Sequence, residues 1–125
     1  MHAYLPISDA CWTYTDTLRF HLPPVESSRL YTFSVGIRAN DRPSYRDLWV
    51  VVEQRTSGMC RRDTTHLFLA SDRGAWHSPG VVLHDIEQVV AAARYEQGEE
   101  ADILLYHIMS SQEVDGIVEA GIKVE

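Results

Sequence analysis

Five consecutive apolar residues, Leu48-Trp49-Val50-Val51-Val52, constrain this chain more than any other stretch. The run is too short for a helix of ordinary length, and its three valines favour extended backbone. It suits a strand buried on both faces, or a sandwich strand whose outer face is also covered. Asn40, Asp41 and Pro43 ahead of it supply the turn chemistry that ends the preceding element. The central strand is therefore expected over residues 47–55.

Elsewhere the period is two. Leu18, Phe20 and Leu22 fall on one face of residues 17–22, and Pro23-Pro24 stops that strand. Across 30–38, Tyr31, Phe33, Val35 and Ile37 alternate with Thr32, Ser34 and Gly36, the clearest strand in the chain. A hairpin turn is expected at Thr56-Ser57-Gly58, with further strands at 64–70, 101–109 and 117–124. Residues 1–16 read as irregular, with Trp12 anchoring them to the body. Residues 81–97 read two ways. Ile86, Val89, Val90 and Ala93 have helical spacing and the alanines favour helix, yet 88–95 also fits a strand with alternate side chains turned inward. Short strands recurring about every 8–12 residues are the pattern of a β-sandwich.

A chain of 125 residues is expected to be one domain, large enough for its own core. The net charge of -7, with Lys123 the single lysine, argues against nucleic acid, which requires clustered cations. It equally disfavours electrostatic docking on anionic lipid. No apolar run approaches the roughly 20 residues that span a bilayer. The first six residues lack the basic and apolar segments of a signal peptide, which fits a cytoplasmic protein or a mature secreted domain. Cys11 and Cys60 are compatible with a disulfide or with two free thiols, and no C-x-x-C pair marks a metal site.

Candidate chemistry is sparse. His66, His77, His84 and His107 form no H-x-H or H-E-x-x-H pair and read as scattered surface residues. There is no G-x-S-x-G nucleophile elbow. Arg61 and Arg62 beside Cys60 would favour a thiolate, but no base accompanies it. Glu96, Glu99, Glu100 and Asp102 surround Gly98 without a calcium-loop pattern and read as a solvated acidic turn. Of the three tryptophans, Trp49 reads as core and Trp76, beside His77, as the exposed aromatic.

The order of features resembles the GldH gliding-motility lipoprotein family of Bacteroidetes, from about Tyr4 to Val124. The residues that carry the likeness begin with Trp12 and Asp16-Thr17-Leu18-Arg19-Phe20, then Tyr31-Thr32-Phe33 with Ile37-Arg38. Tyr45, Leu48 to Glu53 and Asp72-Arg73-Gly74-Ala75-Trp76 follow. His107-Ile108-Met109, Asp115-Gly116-Ile117 and Ala120-Gly121-Ile122 complete the set. The resemblance implies an envelope lipoprotein, in the periplasm or at the outer membrane, associated with gliding and type IX secretion. It implies a lipid anchor absent from this chain, since neither Cys11 nor Cys60 follows an apolar leader. It also favours strand over helix for 88–95, and it brings no catalytic residue.

The fold expected is an all-β antiparallel sandwich, jelly-roll or immunoglobulin-like, of about seven to nine strands. Its expected core is Phe20, Phe33, Val35, Ile37, Trp49, Val51, Leu67, Leu105, Ile108 and Ile122. The expected function is non-enzymatic, without cofactor or metal, through contact with other envelope proteins of the motility and secretion machinery. Tyr45, Arg46, Arg73, Trp76 and His77 are the candidate contact residues. The alternative is a carbohydrate-binding module presenting Trp76.

Overall fold

The period-two segments become strands. The computed structural model describes residues 1–40, 47–68 and 84–125. Within them lie β1 (His2–Pro6), β2 (Cys11–Thr13), β3 (Leu18–Leu22), β4 (Arg29–Ala39), β5 (Asp47–Arg55) and β6 (Cys60–Phe68). After these come β7 (His84–Tyr95), β8 (Ala101–His107), β9 (Glu113–Asp115) and β10 (Ile117–Val124). Two four-stranded antiparallel sheets form, ordered β1-β10-β4-β7 and β3-β8-β5-β6, with a small β2-β9 pair beside them. Successive long strands pass from sheet to sheet except at the β5–β6 hairpin. This is the jelly-roll arrangement, and the immunoglobulin-like alternative falls away.

Inward residues of the two sheets make the core. Tyr31, Phe33, Val35, Ile37 and Ala39 of β4 meet Ala120, Ile122 and Val124 of β10, and face Leu48, Val50, Val52, Leu67, Ile103 and Leu105 of the other sheet. Tyr95 and Gln54 bridge the layers, the phenol donating to Gln54 Oε1 at 2.9 Å. Burial pushes the Tyr95 hydroxyl up to about 12, so it stays a neutral donor. Along one open side, Gln88 of β7 donates to Thr65 of β6 at 2.9 Å and Arg61 to the Ala92 carbonyl at 3.1 Å, joining the two edge strands.

Residues 84–95 are strand throughout, as the family likeness favours and helix propensity does not. Ala91 and Ala93 lie opposite Phe33 and Tyr31 in register, and their small side chains leave room for those rings and Tyr95. Packing on β4 outweighs a preference of a few tenths of a kcal/mol per residue. The register shifts between Phe33 and Ser34, where β7 has one residue more than β4. Gly98 closes the following turn at φ +89, a conformation that side chains resist.

The structure corrects several expectations. Ten strands are described rather than seven to nine, because β1, β2 and β9 lie in stretches without long alternation. β6 begins at Cys60, since Thr56 N–H bonds the Met59 carbonyl in a tight turn and pairing starts at once. Eight of the expected core residues are buried, but Trp49 and Ile108 are 42% and 49% exposed. Within β5 the inward set is Leu48, Val50, Val52 and Gln54, and Trp49 takes the opposite face. Cys11 and Cys60 are both free thiols.

Candidate interaction surface

Register fixes which side chains share the outer face of the β3-β8-β5-β6 sheet. Trp49 lies opposite His66, Val51 opposite Thr64 and Tyr106, and Glu53 opposite Arg62 and Leu104. Arg19 and His21 of β3 lie opposite Leu104 and Asp102. Directly opposed residues point the same way, so these rows form one surface.

Its upper part is aromatic. The Trp49 and His66 rings stack at 4.2 Å with planes 1° apart, and Phe68 leans on His66 at 4.5 Å. His66 Nε2 donates to Asp47 at 2.7 Å, which fixes the imidazole against the indole. Phe68 is 68% exposed, and with Trp49 and Ile108 it leaves three large apolar side chains in water at one end of the sheet. A contiguous apolar patch of this kind is the ordinary mark of an interaction site.

The lower part is cationic. Glu53 is 2% exposed although it lies on the outer face, because Arg62 and Arg55 fold over it and each directs its Nε to one carboxylate oxygen. The Arg62 bond foremost, then that of Arg55, holds the Glu53 carboxyl below its ordinary range against the opposing effect of burial. Arg19 is exposed and has no ion pair among the described residues.

At the foot of the face lies a groove of about 670 Å³ whose lining includes His21, Arg55, Thr56, Ser57, Glu100 and Asp102. His21 Nδ1 approaches Asp102 at 3.1 Å and Nε2 approaches Glu100 at 3.3 Å. The hydrogen bond to Asp102 chiefly, with Glu100, raises the imidazole above its ordinary value. A histidine beside a carboxylate in a groove is the beginning of acid–base chemistry. Here both ring nitrogens are held by carboxylates in the cationic form, and no described hydroxyl or thiol is hydrogen-bonded to them.

The remaining candidates resolve individually. Tyr45, Arg46, Arg73, Trp76 and His77 lie outside the described residues. His107 is no surface histidine: it is buried, Nε2 donates to the Trp12 carbonyl at 2.9 Å and Nδ1 accepts from Met109 N–H at 3.3 Å. Arg61 and Arg62 beside Cys60 are engaged by Asp63 and Glu53. The Cys11 thiol is pushed up to about 11, mainly by its hydrogen bond to Asp115, and is no nucleophile at neutral pH. Glu96 pairs with Arg94 and Glu99 accepts the Glu96 N–H, so the acidic turn spends its oxygens on local partners. No cluster of metal-ligating side chains occurs among the described residues.

Sequence reading missed the Trp49–His66–Phe68 surface, although one signal pointed to it. Counting outward from the Thr56-Ser57-Gly58 turn pairs 55 with 60, 53 with 62 and 49 with 66. That count places the indole beside the imidazole and Glu53 beside Arg62.

A family model described as GldH lipoprotein matches residues 1–124. A comparison with curated proteins finds no match. Among solved structures, the Eiger TNF protein of S. frugiperda is similar at 11% identity and TM-score 0.44, over 98% of this chain and 90% of that one.

Proposed function

The chain belongs to the GldH lipoprotein family, and on that premise we propose that it is a non-enzymatic accessory component of the gliding-motility and type IX secretion machinery, acting by protein–protein contact. The family makes it a gliding-motility-associated lipoprotein, membrane-anchored in the cell envelope. An acyl anchor explains how a protein of net charge -7 is held at a membrane without a basic surface. In our reading the domain works on the periplasmic side or at the outer membrane.

The observation that carries the reading is the exposed row of Trp49, Phe68 and Ile108. Aromatic residues flanked by arginines are the residue types that dominate the energetics of protein interfaces. The carbohydrate-binding alternative draws on the same aromatics with less support. One face of the Trp49 indole is covered by His66, and the groove at the foot of the face contains no Trp, Tyr or Phe in its lining.

Complementation tests the proposal. A strain lacking the protein is expected to lose spreading and secretion, to regain both with the wild-type chain, and to regain neither with Phe68→Asp, whose far-UV spectrum should match wild type. Full rescue by Phe68→Asp would discard this surface. A deletion strain that spreads and secretes normally would discard the accessory role.

A further inference from the structure

We propose that the outer face of the β3-β8-β5-β6 sheet docks an acidic, apolar-bearing segment of an envelope protein, with carboxylates on Arg19, Arg55 and Arg62 and apolar side chains on Trp49, Phe68 and Ile108. The inference rests on the accessory-lipoprotein reading and names the chemistry of its partner.

Charge distribution is the first argument. On the outer face of the other sheet the cations are spent locally. Arg38 bridges Asp85 and Glu119 at 2.8 Å each, and Lys123 serves Glu87 and Glu125. On the β3-β8-β5-β6 face Arg55 and Arg62 share one carboxylate, and Arg19 lies in the same cross-strand row as Glu53 and Arg62, in a chain of net charge -7. That carboxylate lies beneath them. Glu53 takes the Nε of Arg55 and of Arg62, which leaves their Nη groups without a partner among the described residues. The arginines are half or more exposed, at 50% and 67% of the side chain. A guanidinium held by its inner edge is a fork fixed in place for an incoming carboxylate, and that fixing lowers the ordering cost of binding. Asp102 and Glu100 at the foot of the face are bound by His21, and the surplus of cations lies in the Arg19–Arg62 band above them.

Shape is the second argument. The band and the aromatic row occupy exposed sheet positions above the groove, a surface suited to an extended segment. Glu53 and Trp49 are four residues apart on β5, about 13 Å at the rise of a strand. An extended segment lying along β5 would therefore carry its acidic residues about four positions from its apolar ones.

The test is in-cell photocrosslinking of the full-length protein in its native host. A benzophenone amino acid is placed at position 64, where exposed Thr64 lies between band and aromatic row. A second probe at Phe68 reports the aromatic row alone. Adducts are mapped by peptide mass spectrometry, with Arg19→Glu as the variant and Arg94→Glu, on the other sheet, as its control. The expected result is an adduct on one envelope protein at a segment rich in Asp and Glu. Arg19→Glu should lower its yield about fivefold or more, and Arg94→Glu should leave it unchanged. A protein adduct at a segment without acidic residues, insensitive to Arg19→Glu, overturns the acidic partner and leaves the accessory reading standing. Adducts confined to lipid overturn the proposal in favour of a membrane surface. No adduct from either probe overturns both the proposal and the reading beneath it.

Discussion

The ring of Tyr4 lies across Gly36, its hydroxyl standing where a Cβ at that position would be. Tyr4, Gly121, Gly36 and Glu87 form one row across β1, β10, β4 and β7, so a single aromatic on an edge strand roofs two glycines. The Arg38 guanidinium sits 5.4 Å from the ring. Burial first, then the charges of Asp85 and Glu87, raise the phenol above its ordinary value. A bare glycine row would weaken a sheet, and the ring supplies the packing those residues lack.

Gly36→Ala is therefore expected to destabilise the protein by about 1–3 kcal/mol, the cost of overpacking. In a Tyr4→Ala background the same change should be neutral or slightly stabilising, because the obstruction is a side chain. Gly121→Ala should stay costly in both backgrounds, since its Cβ would also meet the Ala3 backbone carbonyl. Urea midpoints of the two glycine variants, of Tyr4→Ala and of the two double variants check this.

His107 predicts an acid-sensitive fold. Burial lowers its pKa, and the neutral ring is satisfied at both nitrogens by the Trp12 carbonyl and Met109 N–H. The unfolded chain binds the proton more readily, so stability is full above the ordinary imidazole value of about 6.5. It falls as pH drops from there toward the folded value. His21 has the opposite sign: its raised pKa adds stability in acid that is lost as pH rises through the folded value. Denaturation series from pH 5 to 8 should show the acid loss diminished in His107→Gln and deepened in His21→Asn.

Trp12 holds β2 and β9 to the sandwich. It is fully buried, meets His107 edge to face at 5.4 Å, and donates its indole N–H to the Asp16 carbonyl at 2.8 Å. Trp12→Ala is expected to cost about 3–5 kcal/mol. Trp12→Phe should cost less, losing the hydrogen bond and part of the packing. Calorimetry orders the two variants.

At Glu53 the two sides of the ion pair are unequal. Glu53→Gln keeps an acceptor under the arginines and is expected to cost about 1 kcal/mol. Arg55→Ala with Arg62→Ala removes both partners and uncovers the carboxylate they shield, and should cost more than the glutamine variant, about 1–3 kcal/mol at neutral pH. Because the arginines hold the Glu53 carboxyl below its ordinary range, this difference from wild type should shrink as pH falls below the ordinary carboxylate value of about 4.3. Urea midpoints whose difference is the same at pH 7 and pH 4 would count against the ion pairs as its source.

The β4 alternation of Tyr31, Phe33, Val35 and Ile37 was enough to assign both strand and inward face, and all four are buried. Residues 47–55 and 117–124 were legible to the residue, because turn chemistry brackets a run of apolar side chains. The apolar run itself was not legible by face. With no polar residue between Leu48 and Val52, periodicity offers no phase, and Trp49 was assigned to the core it does not enter. Ile108 fails for the same reason at the end of Ile103-Leu104-Leu105.

From the sequence alone came the all-β class, the principal strands and most of the core, since these follow from local alternation and turn residues. The family likeness was legible there too, in residues spread along the whole chain. Only the tertiary structure decided the jelly-roll order, the Tyr4 roof over Gly36 and the burial of Glu53 under two arginines. Each of these depends on a partner distant in sequence, and no local period encodes which strand will lie alongside.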